Sequence, residues 1–419
     1  MGQTMAQLPY HYGVKVRIFP SSEQKRFIKR NSDASRFIYN EMNGMNRELY
    51  QLKRVKIPIG VVQQRIQTLE QRLKNPATGI SNIHGWLNDN VLDSLMKANA
   101  IKNYRAAWKM FRKVHQSGTP VFHRKRIEQK YQTSCLYPGK VKSPNMINGS
   151  VRLLDHQYIQ VPKLGRLRFR GMPAKLLARK QGIRIGTVTI SMDATERYYV
   201  SLQLASEHSF VIQTVSKSQM AIGIDLNTAN FLTDSNGNVV ANPRYYRSIK
   251  GKLAKAQRKL SHRALRAKKE HRQLLNAKNY QKQRRVVADI QRKVANRRRN
   301  FLHLISTTLI KNHDLVVAEE LRSKNLLRNH ALAMSISDVG WRTFLGMLTY
   351  KATLYGKKFE PVTPRNPPQT CHNCGFIMGS RDTHKLTLAD RAWTCPACDM
   401  QHVRDHNAAQ NILAKGITP

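Results

Sequence analysis

Three acidic residues follow or interrupt apolar segments of this chain. Asp225 lies in the apolar run 221–226, Glu319 follows the apolar run 315–318, and Asp405 stands where a helix is predicted to begin. A carboxylate among apolar residues costs free energy unless a partner compensates for its charge. Two Mg²⁺ ions about 3.5–4 Å apart can do so, and they activate water against a phosphodiester. The three acids therefore indicate metal-dependent phosphodiester hydrolysis.

Two alternatives stand beside this interpretation. A single acid at a strand end is more often a cap or an ion-pair partner, and it is the set of three on a basic chain that favours catalysis. Glu320 competes with Glu319 for the second position. We prefer Glu319 because it continues the strand alternation from Val317, although the spacing alone leaves both open.

Four of the five cysteines form two C-x-x-C pairs near the C-terminus. Twenty residues separate the pairs, which matches the spacing of a four-cysteine zinc ribbon. Four protein ligands leave no open position on the ion, so the zinc is predicted to be structural. Unpaired thiols, an iron site and His372 as a substitute ligand are the alternatives, and Cys135 is predicted to be a half-buried thiol. The predicted ligands are Cys371, Cys374, Cys395 and Cys398.

The chain is strongly basic, with 72 Lys and Arg residues against 25 Asp and Glu residues and a formal net charge of +47. Self-repulsion at this level predicts a polyanionic partner, and nucleic acid fits better than an anionic membrane because no amphipathic helix with aromatic anchors stands out. No apolar run reaches the roughly 18–20 residues that span a bilayer, and the first ten residues do not resemble a secretory signal. A soluble, cytoplasmic protein without a membrane partner is expected, located on the nucleoid when it is bound to DNA.

The most basic block covers residues 247–300, and the stretch 241–300 has 21 Lys and Arg residues against two acids. A charged run is usually a solvated helix face, but here the Glu–Lys pairing typical of such faces is missing. A nucleic-acid-facing surface is therefore favoured over a passive one. The candidate contacts are Lys282, Arg284, Arg285, Arg292, Lys293, Arg297, Arg298 and Arg299.

The elements around these residues follow from hydrophobic periodicity. Residues 11–20 alternate as a strand, and the next residues, Ser21 to Gln24, form a capping box that begins a helix. Short alternating runs between 119 and 212 predict an antiparallel barrel or sandwich, which the first strand can join. Further helices are predicted at 60–75 and 88–115, a buried strand at 220–226, a hairpin turn at 235–238 and two long helices at 247–300.

Several motifs together resemble the transposon-encoded TnpB family, ancestors of the miniature type V CRISPR effectors. The resemblance is specific in the C-terminal half, looser back to Pro20, and covers nearly the whole chain. The motifs are GIDL at 223–226, VVAEEL at 316–321, SISDVGW at 335–341, CHNCG at 371–375, CPAC at 395–398 and RDHNAAQNI at 404–412.

The resemblance implies a multidomain α+β fold. It comprises an RNase H-like RuvC nuclease domain with a zinc ribbon insertion, a wedge-type β-barrel and a helical recognition lobe. Placed on this chain, the expected barrel covers 1–20 and 119–213, the helical lobe 21–118, the nuclease domain 214–366 and 401–419, and the ribbon 367–400.

The resemblance also implies an activity. Members of the family use a guide RNA from the transposon end to pair with double-stranded target DNA beside a short transposon-adjacent motif, and the single RuvC site cuts that DNA. The family's three catalytic positions fall on Asp225, Glu319 and Asp405, which would hold two Mg²⁺ ions, with Mn²⁺ as the alternative. Ser337 and Trp341 are expected to order a segment over that site.

One departure from the family pattern concerns the residues before the first cysteine, which here are Pro367, Pro368, Gln369 and Thr370. It leaves the geometry of that loop open. Three other functions are alternatives: a guide-directed repressor without cleavage, a miniature CRISPR effector, and a single-strand transposase. A transposase of that kind would need a His-x-His pair, which the 15 histidines do not provide. The sequence leaves the oligomeric state open.

Overall fold

A computed structural model describes residues 4–56, 59–114, 117–125, 129–139, 141, 143–211, 220–320, 338–363, 369–380, 383–387 and 389–417 of the chain. The chain divides into two compact units, residues 1–210 and 211–419. Each unit is built around its own β-sheet, with helices packed against it. The mixed α+β class predicted from the sequence is confirmed, whereas the assignment of the two sheets to a wedge barrel and a RuvC domain stays a prediction.

The first unit contains a seven-stranded antiparallel sheet in the order β2-β6-β7-β1-β5-β4-β3. The first strand therefore lies inside the sheet and joins it across the helices that follow, as predicted. Its strands are β1 (Tyr10–Phe19), β2 (Lys130–Ser134), β3 (Arg152–Leu153), β4 (Tyr158–Val161), β5 (Gly165–Arg170), β6 (Arg184–Met192) and β7 (Tyr198–Ser206).

Strand β1 shows why this sheet forms. Val14, Val16 and Ile18 are buried while the residues between them are exposed, so that alternation directs one face of the strand into the core. Val14 pairs with Leu202 and Val16 with Val200 across the antiparallel register with β7. These apolar cross-strand pairs stabilise the register because a shift of one residue would expose them.

The helices of the first unit are α1 (Ser22–Leu52), α2 (Gly60–Lys74), α3 (Pro76–Ser81), α4 (Ser94–Lys113) and α5 (Ala174–Ala178). The predicted capping box is present: Ser21 Oγ accepts the Gln24 N–H at 3.2 Å, and Gln24 Oε1 accepts the Ser21 N–H at 2.9 Å. Helix α4 begins six residues later than predicted because Asp93 caps it, accepting the N–H groups of Leu95 and Met96.

The second unit contains a five-stranded sheet in the order β10-β9-β8-β11-β12. The last three strands in this order are parallel. The predicted hairpin turn at 235–238 joins β9 to β10, and β9 also pairs antiparallel with β8. The strands are β8 (Ala221–Asp225), β9 (Leu232–Asp234), β10 (Val239–Val240), β11 (Leu315–Glu319) and β12 (Lys358–Val362).

In the described part of the second unit, four long helices accompany this sheet: α6 (Lys250–Lys269), α7 (Lys278–Asn312), α8 (Trp341–Tyr355) and α9 (Arg404–Ile417). Ile222, Ile224, Val316 and Ala318 share one apolar core with side chains of α7 and α8. Helix α9 lies against Gly223, where an added Cβ would come within 2.3 Å of the Ala409 carbonyl oxygen. Glycine at this position is therefore required for the close approach of α9 to β8.

The segment before α9 forms a small two-stranded sheet of β13 (Ala392–Thr394) and β14 (Gln401–Val403). Its core contains Cys371, Met378, Leu386, Trp393 and Cys395. Among the described residues, no helix has the length and apolarity that crossing a bilayer requires.

Candidate active site and metal centre

The parallel register of β8 and β11 brings two of the predicted carboxylates to neighbouring positions. Ala318 pairs with Ile224, so the next residues, Glu319 and Asp225, end adjacent strands at the same edge of the sheet. Side chains alternate along a strand, and both acids share the face of Gly223, against which α9 packs. The two carboxylates therefore face the helix that carries the third.

Asp405 lies in the first turn of α9 and is linked to β8 through Asn227. The Asn227 side chain donates from Nδ2 to Asp405 Oδ2 at 3.3 Å, and its Oδ1 accepts the Asn230 N–H at 2.8 Å. The second bond fixes the orientation of the amide, so its N–H groups are directed to the carboxylates. Arg391 Nη1 also lies 3.7 Å from Asp405 Oδ2.

Electrostatic interactions connect the three acids. Burial raises the pKa of Asp225 to about 7, with further increases from the negative charges of Asp405 and Glu319, while a hydrogen bond from Asn227 opposes them. Burial also raises the pKa of Glu319. A buried carboxylate whose pKa is raised further by two acidic neighbours is a fitting ligand for a divalent cation, because the cation offsets the repulsion.

The spacing of the three acids is wider than that of a closed metal cage. Within the described ranges, the four cysteines are the group of at least three ligand residues whose donor atoms all lie within 4.8 Å of one another. The carboxylates fit Mg²⁺ by donor type, since it prefers oxygen ligands and keeps several waters.

The four predicted cysteines come together as a second centre. Their Sγ atoms all lie within 4.8 Å of each other, and the Cys371–Cys398 and Cys374–Cys395 Sγ distances are both 3.6 Å. Four thiolates about 2.3 Å from a tetrahedral zinc ion lie roughly 3.8 Å apart, so the arrangement fits structural zinc. The structure therefore confirms that the four predicted cysteines lie close enough together to share one metal ion.

Two matching turns present these thiols. The N–H of Gly375 donates to the Cys371 carbonyl, and the N–H of Asp399 donates to the Cys395 carbonyl, both at 2.9 Å. Gly375 and Asp399 have φ values of 75° and 51°, the left-handed conformation that lets each turn close. The backbone N–H of Met400 lowers the pKa of the Cys398 thiol to about 6, which favours the thiolate that a metal needs.

His402 supports the cysteine centre from outside. Its Nε2 lies 3.0 Å from Cys371 Sγ, and its ring packs on Trp393 with the centroids 4.7 Å apart. Burial lowers the pKa of His402, which favours the neutral ring, and the tautomer protonated at Nε2 donates its N–H to the sulfur. His372, the alternative ligand, instead donates its backbone N–H to Asn407.

The remaining predicted residues have the following positions. Cys135 is a half-buried thiol in the first unit. Trp341 begins α8 and is buried in the core of the second unit. Gln369 is ordered, because its side chain donates to the Leu386 carbonyl at 2.8 Å and accepts the Leu386 N–H at 2.9 Å. Ser337, Pro367 and Pro368 lie outside the described residues.

The eight candidate nucleic-acid contacts all lie on α7 but differ in environment. Five are exposed, namely Lys282, Arg285, Lys293, Arg297 and Arg299, while Arg284, Arg292 and Arg298 are half-buried. Arg292 pairs with Asp289 at 2.5 Å, and Lys293 pairs with the same carboxylate at 3.2 Å. Arg298 forms an ion pair of 3.0 Å with the buried Asp338. The exposed subset is thus the part of the prediction suited to a polyanion.

Three residues at these sites were not singled out from the sequence: Asn227, His402 and Asn407. Asn227 directly follows the GIDL motif, and Asn407 lies inside RDHNAAQNI. Their position in or beside these motifs is the feature of the sequence that could have identified them as site residues. Their roles were not evident because amide and imidazole partners depend on which segments meet in space.

Three family models match separate parts of the chain and together cover more than half of it. The OrfB model of IS605-type elements, described as "Probable transposase", matches residues 199–330. The Cas12f1-like TNB domain matches residues 341–412, which include all four cysteines. A helix-turn-helix model of the same OrfB proteins matches residues 11–54. Here that segment folds as β1 and the single 31-residue helix α1.

Two curated relatives carry the name "Putative RNA-guided DNA endonuclease". The one from Streptomyces pristinaespiralis is 37% identical over 238 residues, which are 57% of this chain and 54% of that protein. The chain thus spans about half the length of this relative. The other, InsQ from Escherichia coli (strain K12), is 26% identical over 418 residues, covering 96% of this chain and 91% of InsQ.

The fold resembles a solved structure as well. The protein chain in a cryo-EM structure of a Cas12f1–sgRNA–target DNA complex superposes with a TM-score of 0.52 at 14% identity, over 96% of this chain and 98% of that one. This likeness concerns the fold alone. The motifs, the family models and the relatives agree, and the chain belongs to the TnpB family of IS605-type OrfB proteins.

Proposed function

We propose that this protein is an RNA-guided DNA endonuclease. The observation that carries the proposal is the meeting of Asp225, Glu319 and Asp405 in one site, where each acid comes from a different segment of the chain. The names of the two relatives support the same function. The net charge of +47 supports nucleic acid as the partner.

We assign the sheet of the second unit to a RuvC-like nuclease domain over 214–366 and 401–419. The support is its topology, in which an antiparallel hairpin follows β8 and two parallel strands extend the other side. The cysteine centre within 367–400 is then a zinc ribbon inserted before α9. By the same resemblance, the sheet of the first unit is the wedge domain over 1–20 and 119–213, and α1–α4 form the recognition lobe over 21–118.

Asp225, Glu319 and Asp405 would hold two Mg²⁺ ions, or Mn²⁺ in their place. Such ions supply an activated water and stabilise the charge that develops on the leaving oxygen. The protein contributes ionised carboxylates at fixed positions. Asn227 orients the Asp405 carboxylate, and the sheet edge holds Asp225 beside Glu319. Glu319 is favoured over Glu320 because the negative charge of Glu319 raises the pKa of Asp225, whereas Glu320 is exposed.

The proposed partners are a guide RNA from the transposon end and double-stranded target DNA beside a transposon-adjacent motif. Base pairing would read the target, and the protein would contact backbones and the short flanking motif. The exposed cations of α7, Lys282, Arg285, Lys293, Arg297 and Arg299, are proposed to contact a phosphate backbone.

The test starts from the RNA that copurifies when the protein is expressed with its native flanking DNA. That RNA should end in a variable guide, and the complex should cut matching DNA only with Mg²⁺ or Mn²⁺. Asp225→Ala and Glu319→Ala should lower the cleavage rate by about a thousandfold or more, since each removes several kcal/mol of transition-state stabilisation. Glu320→Ala is the matched control and should cut normally.

The same experiment separates the alternatives. Guide-directed DNA binding without any cleavage by the wild-type complex would indicate a repressor and refute the endonuclease. Cleavage by Asp225→Ala at the wild-type rate would refute the catalytic assignment. A guide derived from a repeat array, in place of a transposon end, would identify a CRISPR effector with the same chemistry.

A further inference from the structure

The first turns of α9 carry both the third carboxylate and a clamp on the cysteine centre. Asn407, which is 1% exposed, accepts the His372 N–H on Oδ1 at 2.9 Å and donates from Nδ2 to the Thr370 carbonyl at 2.7 Å. One turn later, Asn411 donates to the same carbonyl at 2.6 Å. The clamped residues are the two neighbours of Cys371, so the loop that bears this ligand is tied directly to the helix of Asp405.

The second cysteine pair is connected to the same helix by the backbone. Strand β14 ends at Val403, and α9 begins at the next residue, Arg404. The Arg404 N–H donates to the Arg391 carbonyl at 2.9 Å, and the Arg391 guanidinium lies 3.7 Å from Asp405 Oδ2. Both halves of the cysteine centre therefore contact the N-terminal end of α9, one through Asn407 and one through the hairpin.

Helix α9 is held by different contacts at its two ends. Toward its C-terminus, Gly223 and Gly416 allow close packing on β8 and β11. The first turn, where Asp405 lies, is tied to the cysteine loops in addition to its contacts through Asn227 and through His406, whose Nε2 lies 3.1 Å from the Ser235 carbonyl oxygen. The four sulfur atoms lie within 4.8 Å of one another. In the absence of zinc, no ion holds them together, and the two loops that carry the cysteines are free to move apart. The buried amide of Asn407 would then lose both partners.

We propose that zinc binding positions Asp405 for catalysis, with Asn407 as the positioning residue that couples the cysteine centre to the carboxylate site. The inference rests on the proposed function for the role of Asp405. The coupling itself is a property of the fold. Coupling is reciprocal, so weakening the Asn407 clamp should also weaken zinc binding.

The first measurement is hydrogen exchange of the full-length protein with and without zinc. Removing zinc with a chelator, or by Cys374→Ser, should speed exchange of the amides at 404–410 about tenfold, the factor expected for one lost buried hydrogen bond. Peptides from β1 and β7 in the other unit should exchange as before and report that the chain is folded. Unchanged exchange in α9 after zinc loss would overturn the coupling.

The second measurement uses Asn407→Ala, with Gln410→Ala on the same helix as the matched control. Asn407→Ala should speed exchange at 404–410 with zinc bound, or weaken zinc binding about tenfold, and Gln410→Ala should do neither. Wild-type exchange together with wild-type zinc affinity in Asn407→Ala would refute the clamp.

The third measurement is Mn²⁺ binding at the carboxylates, followed by electron paramagnetic resonance. Asn407→Ala should raise the apparent Kd about tenfold, and raised Mn²⁺ should rescue cleavage. Wild-type exchange of the β1 and β7 peptides and of the Gln410→Ala control separates this effect from a general loss of stability. If the wild type shows no guided cleavage, the proposed function fails while exchange and Mn²⁺ binding still report the coupling. If the wild type cleaves and neither readout moves, the coupling alone fails.

Discussion

Asp225 occupies a place where its own charge is unfavourable. Burial and two neighbouring carboxylates raise its pKa to about 7 from an ordinary value of 3.8. Between about pH 4 and pH 7, the folded protein therefore holds a proton that the unfolded chain releases. Stability must fall as the pH rises through this window, because the folded state binds more protons there.

Asp225→Asn should remove this dependence. In metal-free protein, the free energy of unfolding of the wild type should fall by up to about 4 kcal/mol between pH 4 and pH 7, and the variant should change less. At pH 8 the variant should be the more stable protein. Urea denaturation at a series of pH values checks this, and parallel pH profiles would contradict it. Added Mg²⁺ should stabilise only the wild type.

At this scale, the sequence predicted the residues whose chemistry is visible locally. A carboxylate after an apolar strand and two C-x-x-C pairs are recognisable wherever they occur. Asn227 and Asn407 were not predicted, because their partners lie 178 and 35 positions away. An asparagine is compatible with many surroundings, and only the fold decides which of them it has.

At the scale of elements, helix α7 has two roles, because it presents exposed cations and also forms an ion pair with a buried carboxylate. The middle of α7 carries exposed cations, but Arg298 turns to Asp338, whose carboxylate also accepts the backbone N–H groups of Tyr246 and Arg247. This buried carboxylate thereby joins α7, the start of α8 and the turn before α6. The sequence could not distinguish Arg298 from Arg297 and Arg299, since all three are adjacent cations.

The two roles predict very different losses of stability for substitutions at neighbouring positions. Arg298→Ala leaves Asp338 buried without its cation and should lower the free energy of unfolding by about 3–5 kcal/mol. Arg299→Ala removes an exposed charge and should change it by less than about 0.5 kcal/mol. Urea denaturation of both variants measures the difference, and equal stabilities would show that the Asp338 ion pair is not needed.

Element boundaries could be predicted where local capping or alternation sets them. Strand β1 and the capping box of α1 are examples. Strand β12 was not predicted, because Pro361 interrupts its pattern. The structure explains this exception: within the described residues, β12 is an edge strand paired with β11, so the missing N–H of Pro361 on the outer side removes no bond of this ladder.

The whole molecule is a polycation, and its charge predicts how RNA binding responds to salt. If six to ten phosphates are neutralised, the affinity for the copurifying RNA should fall about 10³–10⁵-fold between about 50 and 200 mM salt. Combined Lys282→Ala, Arg297→Ala and Arg299→Ala should reduce the logarithmic salt slope by about two to three. Filter binding over a salt series tests this, and an unchanged slope would place the RNA away from α7.

The central position of β1 has a consequence for synthesis on the ribosome. Ile18 pairs with Tyr198, so the strand made first waits for a partner made 180 positions later. At about 5–20 residues per second, the delay is roughly 10–40 s. During that time the apolar face of β1 and its backbone edge toward β7 are available to chaperones and to other nascent chains. A translational pause before residue 198 should therefore promote aggregation, whereas a pause after the whole of β7 has emerged should allow the sheet to close.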